Sequence, residues 1–243
     1  MWKLHKLGDL TGYSLQARDG EIGTLKQVYF DDHTWSVRYF IVHTGSWLLG
    51  REVLIAPRAV VAVDSERQCL EVDLTRQQVE GAPPVDTQLP VSRHYEQEYY
   101  RYYDWEPYWN SDPLSAQAAY LPPPADTVPD EPDNPHLHSS GAVQGYLIHA
   151  RDGEFGHVED FILEEPGWAV RYLEIDTRNW LPGKKLLVAP AWIQEVNWTD
   201  TEVRVDLPRE TIQSAPEYDG STVLSREYQI ALYRHYGFEY KEQ

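Results

Sequence analysis

The chain has 243 residues, 42% of them apolar, and a formal charge of −18 at pH 7. That length accommodates two small domains with a core each, and the apolar share excludes wholesale disorder. Such acidity repels phosphate backbones and anionic membrane surfaces, and no apolar run approaches the ~20 residues needed to cross a bilayer, so neither a nucleic-acid partner nor membrane insertion is expected.

The opening "MWKLHKLGDLTGY" lacks the apolar stretch of a signal peptide, and a single cysteine, Cys69, excludes an intrachain disulfide. Both features fit a reducing, cytoplasmic setting. Cys69 lies in the alternating run "RQCLEVDL" and reads as a packed small apolar residue rather than a nucleophile.

From Gly12 onward the chain repeats itself. "GYSLQARDGEIG" returns as "GYLIHARDGEFG" 133 residues later, and the offset holds without gaps from Gly12/Gly145 to Tyr103/Tyr236. About one third of the roughly 90 aligned positions are identical, the mark of a tandem duplication. Three regions follow: residues 1–104 with the first copy, a linker over 105–144, and residues 145–243 with the second copy.

Within each copy, Asp-Gly of "RDGE" is a strong hairpin signal, and Gly23 or Gly156 permits a bulge or close strand crossing. As the functional alternative, Asp19 with Glu21 and Asp152 with Glu154 are paired carboxylates, but a hairpin tip is too wet to raise a carboxyl pKa. "EIGTLKQVYFDD", "WSVRYFIVHT", "REVLIAP", "VVAVDS" and "QCLEVDL" read as consecutive strands of a small barrel or sandwich. "TRQQVEGAP" and "PRETIQSAP" read as one short helix each, with Pro208 in the first turn of the second. Ser92 and Ser225 are N-caps for closing helices on which Tyr95, Tyr99 and Tyr102, or Tyr228, Leu232 and Tyr236, share one face. The proline-rich acidic linker carries Trp105, Tyr108, Trp109 and Tyr120, aromatic residues suited to docking on a barrel wall.

The runs "DGEIGTLKQVYFDDHTWSVRYFIVHTGSWLLGREVLIAPRAV" and "DGEFGHVEDFILEEPGWAVRYLEIDTRNWLPGKKLLVAPAWI" resemble PRC-barrel domains, the family named for the cytoplasmic domain of the photosynthetic reaction-centre H subunit. The shared pattern is a strand, a D-G-x-x-G turn, two long strands, a glycine-containing turn, V-x-x-P and a last strand pair. It covers about 70 residues of each half. The resemblance implies a mainly β fold of two small barrels in tandem, each followed by short α-helices, and a role in docking to macromolecules rather than chemistry.

The motif content of the chain agrees. No nucleophile elbow, zincin, Walker or dinucleotide motif is present, so no catalytic or cofactor-binding residue is named and no enzyme is expected. His136 and His138, with Asp133 upstream, supply too few converging ligands for a metal site, and the acidic pairs Asp31–Asp32 and Glu164–Glu165 read as solvated turns. The candidates are aromatic: Trp47 and Trp180 in strand-to-strand turns, Tyr99 on the first closing helix, and Trp105 and Trp109 after it, as contacts for a protein partner or a second copy. The expectation is a non-enzymatic adaptor. A small-molecule or metal sensor using a groove between the barrels, and an accessory factor for photosynthetic or electron-transfer assembly, stand as alternatives.

Overall fold

Two long strands, one in each copy, organise the rest of the chain. The computed structural model describes residues 3–87, 91–111, 137–177, 185–218 and 224–240. Strand β3 (Gly20–Asp31) turns Ile22, Leu25, Val28, Tyr29 and Phe30 inward, and its counterpart β10 (Gly153–Glu165) does the same with Phe155, Val158, Phe161, Ile162 and Leu163. Burial of these side chains is the main favourable term holding each sheet together.

Around β3 lie β2 (Ser14–Ala17), β4 (Val37–His43), β5 (Glu52–Ile55), β6 (Val60–Asp64) and β7 (Cys69–Val72). Around β10 lie β9 (Leu147–Ala150), β11 (Ala169–Asp176), β12 (Lys185–Val188), β13 (Ile193–Asn197) and β14 (Glu202–Val205). The hydrogen-bonded orders are the same in both, β5-β4-β3-β2-β7-β6 and β12-β11-β10-β9-β14-β13. The β2–β3, β4–β5 and β6–β7 pairs are antiparallel, as are β9–β10, β10–β11, β11–β12 and β13–β14, whereas β2–β7 and β9–β14 are parallel, with Ser14 facing Cys69 and Leu147 facing Glu202. Cys69, a member of the β2–β7 pair, is buried at 2% exposure.

Each sheet gains a seventh strand from a distant part of the chain. Strand β1 (Lys3–Lys6) pairs antiparallel with β10, from Lys3↔Glu165 to Lys6↔Ile162, and β8 (Leu137–Ser139) pairs with β3. The molecule is therefore mainly β, with two seven-stranded sheets; among the described residues each order runs open, from β5 to β6 and from β12 to β13, rather than closing into the barrel expected from the sequence. By internal contacts the chain forms one unit from Met1–Thr11, His33–Val37 and Ser139–Gln243, and another from Gly12–Asp32 and Arg38–His138. The leading strand of the first copy thus belongs to the unit built on the second.

The helices are short and locally encoded. Helix α1 (Leu7–Leu10) follows β1, and α4 (Ser140–Val143) follows β8 with the Ser139 side chain accepting from Ala142 N–H. Thr75 and Gln78 make a capping box on α2 (Arg76–Gly81), whereas Pro208 occupies the N-cap of α5 (Arg209–Gln213), one position before its first turn. Ser92 and Ser225 cap α3 (Arg93–Tyr102) and α6 (Arg226–His235) by accepting from Tyr95 and Tyr228 N–H. Of the stretch 105–144, residues 105–111 continue from α3, residues 137–143 form β8 and α4, and 112–136 lie outside the described residues.

The repeated "RDGE" run is a clamp made twice. Arg18 Nε donates to Asp73 Oδ1 at 2.6 Å, and Arg151 Nε to Asp206 Oδ1 at 2.5 Å. Asp19 Oδ1 accepts from Arg76 N–H at 2.7 Å, and Asp152 Oδ1 from Arg209 N–H at 2.8 Å, so each aspartate satisfies an orphan donor at a helix start. Two residues beyond each turn the strand crosses another backbone. A Cβ on Gly23 would lie 2.2 Å from the His43 carbonyl oxygen, and one on Gly156 would lie 2.3 Å from that of Asp176.

Gly23→Ala should therefore lose at least about 2 kcal/mol in urea unfolding, because backbone atoms must move to admit the methyl group. Gly12→Ala, at φ +89° with no atom within 4 Å of the added carbon, should lose only about 1 kcal/mol. Equal losses would remove steric crossing as the reason for glycine at position 23.

Candidate partner-docking surface

Helix α3 places an aromatic cluster against the first sheet. Tyr99 is fully buried among Tyr29, Tyr39, Ile41, Leu54 and Tyr100. Its hydroxyl donates to Leu54 O at 3.0 Å and accepts from Ala56 N–H at 3.1 Å, so the helix is tied to β5 through both functions of one phenol. Tyr39 meets it edge-on with ring centroids 5.3 Å apart.

A buried carboxylate, unexpected from sequence, lies beside this cluster. Glu96 has no exposed surface; Tyr39 and Tyr108 hydroxyls donate to its Oε1 at 3.1 and 3.0 Å, and Arg93 Nη1 stands 2.9 Å from its Oε2. The Arg38 guanidinium lies 3.7 Å above the Tyr108 ring. In the second copy the equivalent residue is Gln229, whose Oε1 accepts from Tyr172 OH at 3.1 Å. The offset of 133 could have flagged this Glu/Gln position on the inner helical face, but a charge beside four tyrosines reads as solvated surface until the helix is docked.

Residues after α3 turn back over the cluster. Trp105 stacks on Tyr103 with centroids 4.5 Å apart, under Arg58 at 4.9 Å. Trp109 meets Tyr100 edge-on at 5.3 Å, and Arg93 covers it at 4.4 Å. Tyr99, Trp105 and Trp109 are thus brought together as one packed aromatic plate on their own sheet. Trp180 lies outside the described residues.

Trp47 is placed differently. The loop Thr44–Gly50 closes through Gly50 N–H to Gly45 O at 2.6 Å and Thr44 Oγ1 to Arg51 O at 2.7 Å. Trp47 lines an open pocket with Leu48, Leu49, Gly50, Arg51 and Glu80. Leu49 is 98% exposed and sits at φ +56°, a conformation unfavourable for a residue with a Cβ. The Arg76 guanidinium covers one face of Trp47 at 4.4 Å. Since Asp19 holds the Arg76 backbone, the repeated turn supports the loop from behind.

The other candidate chemistry stays dispersed. Asp19 and Asp152 are exposed and committed to helix starts. His138 stands 3.4 Å from Asp32, while His136 and Asp133 lie outside the described residues. The consecutive residues Asp31, Asp32 and His33 place one ligand atom each within 4.8 Å of one another, but Asp31 is also 3.4 Å from Arg38. Sequence reading missed His5, which mirrors His138 at the same offset and pairs with Glu165 at 2.8 Å. It also missed Glu174, a second fully buried carboxylate, contacted by Lys6 at 2.9 Å, Lys185 at 2.6 Å and the Tyr218 hydroxyl at 3.1 Å. These lysines hold the Glu174 pKa below its usual value despite burial, which acts to raise it.

Glu96→Gln should cost less than about 1 kcal/mol, since Gln229 accepts from Tyr172 without charge as Glu96 does from Tyr39, whereas Glu96→Leu should cost about 2–4 kcal/mol by leaving buried hydroxyls unpaired. Thermal melts of both variants separate acceptor geometry from charge; similar losses would mean that the ion pair with Arg93 dominates. Burial pushes the Tyr100 hydroxyl up to about 12, and Tyr39 and Tyr99 also upward. Unfolded tyrosines ionise near pH ~10, so this stabilisation is complete below that pH and is lost as pH rises towards the folded value. Unfolding and ionisation of these three buried tyrosines should therefore appear together between about pH 10 and 12; ionisation of Tyr99, followed as the absorbance lost in Tyr99→Phe, in the folded state near pH ~10 would contradict burial as the cause. No protein-family model matches the chain, and no curated protein matches it.

Proposed function

We propose that this protein is a non-enzymatic docking module in which two PRC-type barrels act as rigid frames and the Trp47 loop receives a protein partner. The observation that carries this reading is Leu49, almost fully exposed at positive φ beside the half-buried Trp47. Strain and an exposed large apolar side chain both cost stability, and their coincidence at a loop tip favours a binding role. A tryptophan anchored on one face by an arginine is the type of residue that dominates interface energies.

The parallel pairing of β2 with β7 and of β9 with β14 curls a late strand of each copy back beside an early one, which supports a barrel-like frame although the hydrogen-bonded order itself stays open. The charge of −18 favours a partner whose contact face is apolar and ringed by basic residues. Among the described residues no helix is long and apolar enough to cross a membrane.

Affinity capture from the source cell at low salt should retain a specific protein with the wild-type chain. Trp47→Ala combined with Leu49→Ser should reduce that capture at least about tenfold, as loss of a hot-spot tryptophan and its neighbour would, while the melting temperature stays unchanged or rises. Undiminished capture by the double variant would place the docking surface elsewhere.

A further inference from the structure

Strand β1 reaches its position on β10 from the far end of the chain: His5 and Glu165, which touch, are 160 residues apart in sequence. Its docking is well defined. Four residue pairs form the antiparallel register, His5 stacks on Trp168 with centroids 6.0 Å apart, and Lys6 Nζ stands 2.9 Å from Glu174 and 3.8 Å from Asp160. Gly8 N–H donates to both Asp160 oxygens at 3.1 Å, and Leu7 and Leu10 of α1 are buried at 4% and 2% exposure. All of these contacts lie within the unit built on the second copy. Immediately after Thr11 the chain leaves that unit, through Gly12 at φ +89°.

We propose that the Ile162–Glu165 edge of β10 is a strand-accepting site that takes Lys3–Lys6 of a second copy, so that two chains join by exchanging their leading strands. Strand and acceptor are independent of the chain segment that joins them. Everything that recognises β1 is contributed by the acceptor unit, and the residues following it belong to the other unit, so a second chain supplies the identical strand with the identical contacts. An exchanged strand creates no new interface and leaves no acceptor edge open, which is why swapping is a low-cost route to a dimer. What opposes it is the effective concentration of the chain's own strand, on the order of millimolar for a tethered segment. Exchange is therefore expected when chains fold together at high concentration, and the product should persist on dilution because separation requires a paired strand to be withdrawn from each sheet.

The test uses the full chain carrying Cys69→Ala, Leu4→Cys and Glu164→Cys. Residues 4 and 164 are directly opposed in the ladder, a spacing that a disulfide can bridge. After unfolding in urea, refolding and oxidation, low protein concentration should give internally closed monomers on a non-reducing denaturing gel. High concentration should give a covalent dimer, its ratio to monomer rising about tenfold for each tenfold in concentration. Absence of dimer up to about millimolar protein, or a dimer by light scattering that runs as closed monomers, would overturn the proposal. Should this variant not fold, unsubstituted tagged and untagged chains serve instead. Co-capture after joint refolding but not after mixing folded chains supports exchange; equal co-capture from both procedures, or none from either, refutes it.

Discussion

The close crossing at Gly23 and Gly156 is the constraint on which both sheets depend. Each long strand must serve several neighbours along its length: its first half pairs with β2 or β9, and the second half of β10 carries β11 on one edge and β1 on the other. A side chain at the crossing would meet a carbonyl oxygen within 2.3 Å, so the backbone there must be bare. Beside that crossing stand the parallel pair, the aspartate-held helix start and the Arg–Asp clamp, each joining residues more than 50 positions apart. Their recurrence at the same offset in both copies shows that one short run specifies one small piece of architecture.

Much of this architecture was legible from the sequence because it is local. Asp-Gly marked the turn, alternation marked β3 and β10, and serine ahead of a tyrosine-bearing helical stripe marked α3 and α6. What escaped notice is non-local. The leading strand of each copy is only three or four residues long, too short for periodicity to register, and its partner is 160 residues away for His5. The match of Leu4-His5 with Leu137-His138 at the common offset was the available clue. Glu96 and Glu174 were invisible for a different reason: a buried carboxylate is recognised by the groups that surround it, and those come from separate elements.

The aromatic residues divide by role according to how many hydrogen-bonding and stacking partners they find. Tyr99 satisfies donor and acceptor inside the core, and Trp105 and Trp109 lie on it with arginines above them. Trp47 has one covered face, and its neighbour Leu49 has none. Enrichment in tyrosine and tryptophan therefore says that amphipathic area is needed, while geometry decides whether the chain itself or another molecule supplies the other side. The Glu96/Gln229 exchange gives the same lesson for polar groups, since an oxygen held in one place accepts from a tyrosine with or without a formal charge.

The distance in sequence between β1 and β10 also sets an order of events during synthesis. The leading strand emerges well ahead of its acceptor, which is translated some 160 residues later. At about 5–20 residues per second, the strand waits on the order of ten to thirty seconds while the residues of the other unit are made. Its sequence suits that interval: Lys3, His5 and Lys6 keep a nascent β-segment hydrophilic and resist edge-to-edge association. A strand that is charged enough to remain harmless alone, and is then secured by the buried Glu174 beside its acceptor, reconciles the long wait with a firm docking.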